Sequence, residues 1–246
     1  KTGSVLSTLN RKWHVMFDSI KHWLGQRSGD TSFDHLPVPE KLDGRRLDSV
    51  RLIVLDLETT GLNVNKDDVI AIGAIGIDNL RIQYRDQFDL ILRRPELDIS
   101  KTVLIHGIGN EALASGHELE DTLKRLLAWM QGSVILAFHA AFDQRFLEKT
   151  LRQTLGYTRK HEWLDVAEVL PAVFPDAQLK DGRLDSWIEH FKLDISERHN
   201  AAADAMATAE LALIAFNQAA RKNVVTLSEL NDKVRYTRRL KHIQSQ

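Results

Sequence analysis

Four acidic side chains and one histidine give this sequence its clearest capacity for chemistry. Asp56 and Glu58 directly follow the apolar run Leu52-Ile53-Val54-Leu55, which is typical of a buried strand. Side chains two apart on a strand point to the same face, so the two carboxylates leave the sheet together. They repel each other unless a cation lies between them, and hard oxygen ligands suit Mg²⁺ or Mn²⁺. An Asp-x-Glu pair alone is more typical of a strand that ends in a solvated acidic turn.

Two further carboxylates fall where other elements begin. Asp143 closes the segment His139-Ala140-Ala141-Phe142-Asp143, after the apolar run 133–138, and a helix N-cap is its simplest alternative role. Asn200 is a good N-cap for a helix from residue 201, which puts Asp204 in the first turn, where the helix dipole favours a carboxylate. His199 lies in the entry loop, where its side chain can turn toward the same site. The alternative for His199 is a loop histidine bonded to backbone.

The four carboxylates predict a metal site if they share one cleft. Two of them at about 4 Å repel by roughly 4 kcal/mol at an effective dielectric constant near 20. Two divalent ions about 3.5–4 Å apart offset that repulsion and give the arrangement used for in-line phosphoryl displacement. Imidazole exchanges protons near neutral pH, so His199 is placed to take the proton of an attacking water molecule. The pattern therefore predicts metal-dependent phosphoryl displacement by water.

Composition narrows the class of protein without identifying it. The 246 residues have room for one domain of about 150–200 residues with appendages. A net charge of −1 gives no global signature of nucleic-acid binding, so such binding would have to use local basic patches. Cysteine is absent, which excludes disulfides and thiolate metal sites and fits a reducing, cytoplasmic compartment. We find no apolar stretch long enough for a membrane span and no signal peptide.

The elements that must position these residues follow from hydrophobic periodicity. Apolar runs predict strands at 50–58, 68–77, 80–93, 133–138 and 163–170, the last running into a turn at Pro171. Periods of three and four predict helices over 4–24, 110–131, 143–155, 184–192 and 201–219. The Asp78-Asn79 turn predicts that the second and third strands form an antiparallel hairpin. This order predicts an α/β sandwich with a mixed sheet.

Both ends of the chain carry candidate interaction surfaces. The amphipathic helix 4–24 either packs on the main domain or binds a partner, such as a DNA polymerase or another protein. Residues 26–48 form a polar linker. The segment 221–246 has a net charge of +5 and contains the capping-box pattern Thr226-Leu227-Ser228-Glu229, which predicts a basic helix. That helix either holds phosphates of a substrate strand or is a solvated surface helix.

The motifs resemble a known family. Asp56-Leu57-Glu58-Thr59-Thr60-Gly61, His139 through Asp143 and His199 through Asp204 are similar to the three exonuclease motifs of the DEDDh family. Ile105-His106-Gly107-Ile108 also resembles a segment of the proofreading (epsilon) subunits of bacterial DNA polymerase III. The similarity covers about residues 49–217. It implies a ribonuclease H-like fold, with a mixed five-stranded sheet flanked by helices.

The resemblance also implies residue roles. It assigns metal binding to the four carboxylates and general-base duty to His199. It assigns contacts with the 3′-terminal nucleotide to the turn formed by Thr59, Thr60, Gly61 and Leu62. Phe142 is a candidate wall of the site, with a core aromatic as the alternative. His106 is a candidate substrate contact, with a turn histidine as the alternative.

The resemblance implies 3′→5′ hydrolysis of a polynucleotide with release of nucleoside 5′-monophosphates. We expect three parts: an N-terminal helix and linker (1–48), an exonuclease domain (49–217) and a basic C-terminal tail (218–246). Single-stranded or frayed DNA is the expected substrate, in proofreading or repair. The alternatives are an RNA-trimming exoribonuclease and a non-catalytic nucleic-acid or polymerase-binding module. The intact set of carboxylates argues against the module, because binding alone has no need of it.

Overall fold

The computed structural model describes residues 33–97, 99, 102–177, 179, 181–195 and 198–244. The helix predicted over 4–24 lies outside these residues, as does the first part of the predicted linker, 26–32. No helix in the described part of the chain combines the length and apolar character that a bilayer crossing needs.

A five-stranded mixed sheet forms the centre of the protein. Its strands are β1 (Arg51–Thr59), β2 (Val69–Asp78), β3 (Arg81–Ile91), β4 (Val134–Ala137) and β5 (Trp163–Asp165). Their order is β3-β2-β1-β4-β5, with β2 antiparallel to β1 and β3, and with β4 and β5 parallel to β1. The predicted hairpin is confirmed, and Asn79 and Leu80 take the positive φ angles that match the twist of such a turn. The predicted mixed sheet flanked by helices is likewise confirmed.

Helices cover both faces of this sheet. They are α1 (Val103–His106), α2 (Asn110–Ser115), α3 (Leu119–Met130), α4 (Ala141–Leu155), α5 (Val166–Val173), α6 (Leu184–Phe191), α7 (Ala201–Arg221) and α8 (Leu227–Gln244). α3 and α4 pack with the odd-numbered residues of β1, such as Ile53 and Leu55. α5, α6, α7 and α8 pack with its even-numbered residues, Leu52 and Val54. β1 is therefore covered on both faces, as its continuous apolar run predicts.

The helix predicted over 110–131 is wrong as a single element. α2 ends at Ser115 and α3 begins at Leu119. Between them His117 bonds with the end of β3: its N–H donates to Ile91 and its carbonyl accepts from Arg93. Gly116 lies so close to this strand that a Cβ atom would come within 2.7 Å of the Leu92 carbonyl carbon. The backbone groups here are satisfied by the sheet edge instead of by a continuous helix.

The predicted turn at Pro171 is also wrong. β5 has only three residues, and Pro171 lies inside α5. The carboxylate of Asp165 accepts from the Ala167 N–H and caps this helix, and Val169 and Leu170 are buried in the core. Capping and burial outweigh the hydrogen bond that proline removes.

The C-terminal helix begins as its capping box predicts. Thr226 Oγ1 accepts from the Glu229 N–H at 3.3 Å, and a Glu229 carboxylate oxygen accepts from the Thr226 N–H at 3.0 Å. Leu227 and Leu230 are fully buried in the core that α5 and α7 share. The division of the chain at residues 48 and 217 stays a prediction.

Candidate active site

Three of the predicted carboxylates converge at the carboxyl end of β1. One carboxylate oxygen from each of Asp56, Glu58 and Asp204 lies within 4.8 Å of the other two. Asp56 and Glu58 are half-buried, and Asp204 is buried in the first turn of α7. Asn200 caps that helix by accepting from the Ala203 N–H at 3.1 Å, as predicted. A strand end and a helix start therefore bring the three groups together.

Gly73 is what allows the strand end and the helix start to meet. It lies opposite Asp56 in the β1–β2 register, and the start of α7 packs directly over it. A Cβ atom at this position would lie 2.1 Å from the carbonyl carbon of Ala201. Since that neighbour is backbone, any side chain at residue 73 must push the start of α7 away from Asp56. The missing side chain thus fixes how closely Asp204 approaches Asp56.

We expect Gly73→Ala to separate Asp204 from Asp56. The displaced helix should lower stability by about 1–3 kcal/mol, as overpacking of a core does, and a shift of about 1 Å should lower turnover by roughly 10²-fold. Urea denaturation and nuclease assays measure the two effects. Gly182→Ala is the matched control, because nothing lies within 4 Å of its Cβ position. Wild-type activity in Gly73→Ala would contradict this role.

Asp143 reaches the same edge from the other face of the sheet. It is the third residue of α4, whose N-cap is Ala140, so Asp143 is not the helix cap. Instead its carboxylate accepts from the backbone N–H of Leu57 at 3.1 Å, between the two acidic residues of β1. Burial raises its pKa to about 8, against the lowering effect of its backbone hydrogen bonds. Asp143 therefore places a fourth carboxyl group close to the other three, where its charge raises the pKa of Asp56.

Asp165 supports this arrangement and was missed at the sequence level. Its carboxylate accepts from the backbone N–H of His139 at 3.0 Å while it caps α5. His139 has a positive φ of 60°, and the bond holds the turn that leads into α4. Burial raises the pKa of Asp165, and its charge in turn raises that of Asp143. The available signal was an Asp at the end of a strand, directly before a helix.

The cluster holds more negative charge than its protein surroundings offset. Burial raises the pKa of Asp56 well above its ordinary value, and the charges of Asp143 and Glu58 raise it further. Burial also raises the pKa of Glu58 to about 7. Arg198, a second residue missed in the sequence, opposes both shifts and pairs with Asp204 and Asp185. The acidic cluster fits a divalent cation, because hard oxygen ligands and unbalanced charge are what such an ion requires.

These shifts predict that the metal-free protein loses stability as pH rises from about 4 to about 8. In the unfolded chain Asp and Glu ionise near pH 4, whereas folded Glu58 and Asp143 keep their protons to about pH 7 and 8. The folded state binds more protons in this window, so the free energy of unfolding falls with pH. Urea denaturation in a chelator at pH 5–8 measures the slope. Glu58→Gln should flatten it, and a slope equal to wild type would count against this explanation.

His199 lies beside the cluster without entering it. Its backbone N–H donates to Asp204 at 3.2 Å, its φ is 60°, and its side chain is exposed. The positive φ directs the chain sharply into α7. The imidazole is therefore open to solvent, while the backbone of His199 is held next to Asp204.

The turn after β1 is held rigidly at the mouth of the site. Thr59 Oγ1 donates to the Gly61 carbonyl at 2.8 Å, and Thr60 Oγ1 accepts from the Asp68 N–H at 3.0 Å. Lys149 on α4 donates to the Asp67 carbonyl at 2.7 Å, which ties this loop to the helix that carries Asp143. Leu62, at the tip, is 85% exposed. An anchored turn with an exposed apolar tip is suited to contact a ligand.

The two remaining candidates differ in their surroundings. His106 ends α1 and is buried, and its Nδ1 accepts from the Ile108 N–H at 3.1 Å. The ring proton is therefore on Nε2, which is buried and has no partner among the described residues. Burial lowers the pKa of His106, which favours the neutral ring. Phe142 is half-buried and packs on Phe146, with ring centroids 4.7 Å apart, as a core aromatic does.

Comparison with known proteins places this geometry in context. Residues 53–212, more than half of the chain, match the family model RNase_T, described as an exonuclease. A relative from Caldanaerobacter subterraneus, named DNA polymerase III PolC-type, is 32% identical over 180 residues. The protein of the same name from Bacillus subtilis is 27% identical over 203 residues. These alignments cover 73% and 82% of this chain but only 12% and 14% of the relatives, so the chain spans a small part of their length.

Solved structures share the fold at lower sequence identity. Escherichia coli exonuclease I in complex with a dT13 oligonucleotide has a TM-score of 0.61 and 19% identity, over 70% of this chain and 42% of that one. Exonuclease X in complex with 5′ overhanging duplex DNA has a TM-score of 0.57 and 20% identity, over 74% and 99%. These likenesses show a shared fold, a mixed sheet flanked by helices.

Proposed function

The chain belongs to the RNase_T exonuclease family. We propose that it is a 3′→5′ exonuclease of the DEDD type that removes nucleotides from single-stranded or frayed DNA ends. The observation that carries this proposal is the convergence of Asp56, Glu58 and Asp204 within 4.8 Å, with buried Asp143 beside them. Four carboxyl groups at one strand end are costly in a binding module and useful in a metal-dependent hydrolase.

The four carboxylates are the proposed ligands of two divalent ions, Mg²⁺ or Mn²⁺. The chemistry that such ions supply when bound is activation of a water molecule and stabilisation of the leaving oxygen. The chain's own part is to hold the carboxylates rigidly, through the Leu57 N–H bond to Asp143 and the close packing at Gly73. Arg198 offsets part of their charge from the side of Asp204.

His199 is the proposed general base. Its imidazole is exposed at the edge of the carboxylate cluster, and its backbone bond to Asp204 keeps it next to that cluster. From there Nδ1 or Nε2 can accept the proton of the attacking water molecule and release it to solvent. The exposure of the ring supports this role, because a base must return its proton after each cycle.

The 3′-terminal nucleotide is proposed to bind at the turn formed by Thr59, Thr60, Gly61 and Leu62. Its anchoring to α4 supports this role, because a fixed turn positions the end of the strand against the carboxylates. His106 Nε2 is a buried donor without a protein partner among the described residues, and we assign it a substrate oxygen as acceptor. Phe142 is the proposed wall on the α4 side.

A proofreading role is proposed from the relatives. The similar segment forms 12% of a protein named DNA polymerase III PolC-type, which favours removal of nucleotides from the 3′ end of a primer. A mismatched 3′ terminus frays more readily than a paired one, so its removal should be faster.

The substrate is tested with matched strands in Mg²⁺ or Mn²⁺. Single-stranded DNA, single-stranded RNA, paired primer–template and mismatched primer–template are compared for nucleotide release. We expect single-stranded DNA and the mismatched end to be degraded fastest. Faster loss of RNA would replace this proposal with the exoribonuclease alternative. Equal rates on mismatched and paired ends would remove the proofreading role.

A further inference from the structure

We propose that the C-terminal two-thirds of α8, residues 233–244, binds the single-stranded segment of the substrate that leads to the active site. This inference rests on the proposed function and extends it from the 3′-terminal nucleotide to the rest of the strand. We call this surface the basic track. Its exposed members include Arg235, Tyr236, Arg239, Leu240, Lys241 and Ile243.

The basic track is uniformly positive. Residues 233–244 contain five Lys or Arg residues and no Asp or Glu, while the acidic residues of α8, Glu229 and Asp232, lie in its first half. Arg238 pairs with Glu168 on α5. Within the described parts of the chain, the other four basic side chains of the track make no ion pair. Charge of this kind, without carboxylates to neutralise it, is complementary to a phosphate backbone.

Exposed apolar groups lie among these charges. Tyr236 is 63% exposed and Ile243 is 68% exposed, and Leu240 between them is 40% exposed. Spacings of four and three residues place all three on one side of the helix. An aromatic ring flanked by arginines is the usual platform for single-stranded nucleic acid, because bases stack on the ring while cations hold the phosphates. The combination favours a nucleic-acid strand over a protein as the occupant.

The direction of α8 brings the basic track to the active-site edge of the sheet. The helix starts at the opposite edge, where the Leu227 N–H donates to the Arg45 carbonyl shortly before β1 begins. Three turns later Arg238 pairs with Glu168, in the first turn of α5. The cap of α5 is Asp165, which holds the turn leading to Asp143. The residues after Arg238 extend further by about 1.5 Å each.

The expected path of the substrate DNA strand leads to the basic track. The proposed binding site of the 3′-terminal nucleotide lies on the β2 side of the carboxylates, since Thr60 accepts a hydrogen bond from Asp68 just before β2. β4, β5, α5 and α8 lie on the other side. The bond to be cut lies between the terminal nucleotide and its neighbour, so the remaining strand continues past the carboxylates. That course leads toward α5 and the basic track.

The test compares two double variants with equal loss of charge. Arg235→Ala/Arg239→Ala removes two exposed charges from the track, and Arg81→Ala/Arg85→Ala removes two from β3, at the far edge of the sheet. Fluorescence anisotropy in a chelator measures the affinity for oligothymidylates of about 4 and about 20 nucleotides. We expect the track variant to bind the long strand roughly tenfold more weakly, with little change for the short one. Its slope of log affinity against log salt should fall by about 1.4, at about 0.7 for each lost phosphate contact.

A second variant and a separate readout keep the interpretation clear. Tyr236→Ala should weaken long-strand binding by about fivefold or more through lost stacking. Wild-type affinity for the long strand in both track variants would overturn the proposal and leave a protein as the occupant. Equal losses in the track and β3 variants would overturn it as well. Binding in a chelator does not depend on hydrolysis, so a failure of the proposed exonuclease function would be seen separately, as absent nucleotide release in Mg²⁺.

Discussion

Asp143→Asn is expected to lower nucleotide release by at least about 10³-fold while the protein stays folded. The substitution removes one of four carboxylates, and the loss of about 4 kcal/mol of transition-state stabilisation corresponds to that factor. The amide oxygen can still accept from the Leu57 N–H, so the link between α4 and β1 is kept. Metal titration by calorimetry should show weaker binding in the same variant.

Stability distinguishes this result from simple damage to the fold. Burial raises the pKa of Asp143 to about 8, so a neutral amide avoids the cost of ionising a buried acid. Metal-free Asp143→Asn should therefore be at least as stable as wild type above pH 8. Asp176→Asn, at an exposed position, is the control and should change neither activity nor stability. An active Asp143→Asn enzyme would remove this residue from the site.

His199→Ala is expected to lower turnover by about 10²–10⁴-fold, the usual contribution of a general base. His199→Asn should lose as much, and Asn tolerates the positive φ of residue 199. Loss in both variants would therefore come from the missing imidazole and not from a distorted loop. Single-turnover kinetics in saturating metal measures the rate of the chemical step.

Metal affinity distinguishes a general base from a metal ligand and from a residue that only stabilises the loop. Because the His199 side chain is exposed and only its backbone bonds to Asp204, both variants should bind metal as wild type does. His117→Ala, which changes an exposed histidine between α2 and α3, should keep wild-type turnover. Unchanged turnover in His199→Asn would assign the proton to another acceptor.

Local patterns were sufficient to predict most of the fold. The apolar run before Asp56 predicted a buried strand, Asn200 predicted the start of α7, and the capping box at Thr226 predicted the start of α8. Each of these signals acts within a few residues of the element it specifies. The acidic cluster was also predictable, because Asp56, Glu58 and Asp204 lie at ends of elements that the sheet order brings together.

The features that were missed depend on contacts between distant residues. The break at Gly116 exists because β3 passes close to it, and Pro171 is tolerated in a helix because capping and burial offset its cost. In the sequence Gly73 looks like any other strand glycine, and only the structure shows that the start of α7 packs directly over it. Arg198 and Asp165 act through partners on other elements. No local propensity specifies such partners.

The central claim is that the four carboxylates support removal of nucleotides from a 3′ end. The most direct measurement follows a 5′-labelled single-stranded DNA in Mg²⁺, in excess chelator and with Asp143→Asn, and identifies the released product. We predict a ladder that shortens from the 3′ end with release of nucleoside 5′-monophosphates, and no shortening in chelator or in the variant. Full activity in excess chelator, or shortening from the 5′ end, would contradict the account.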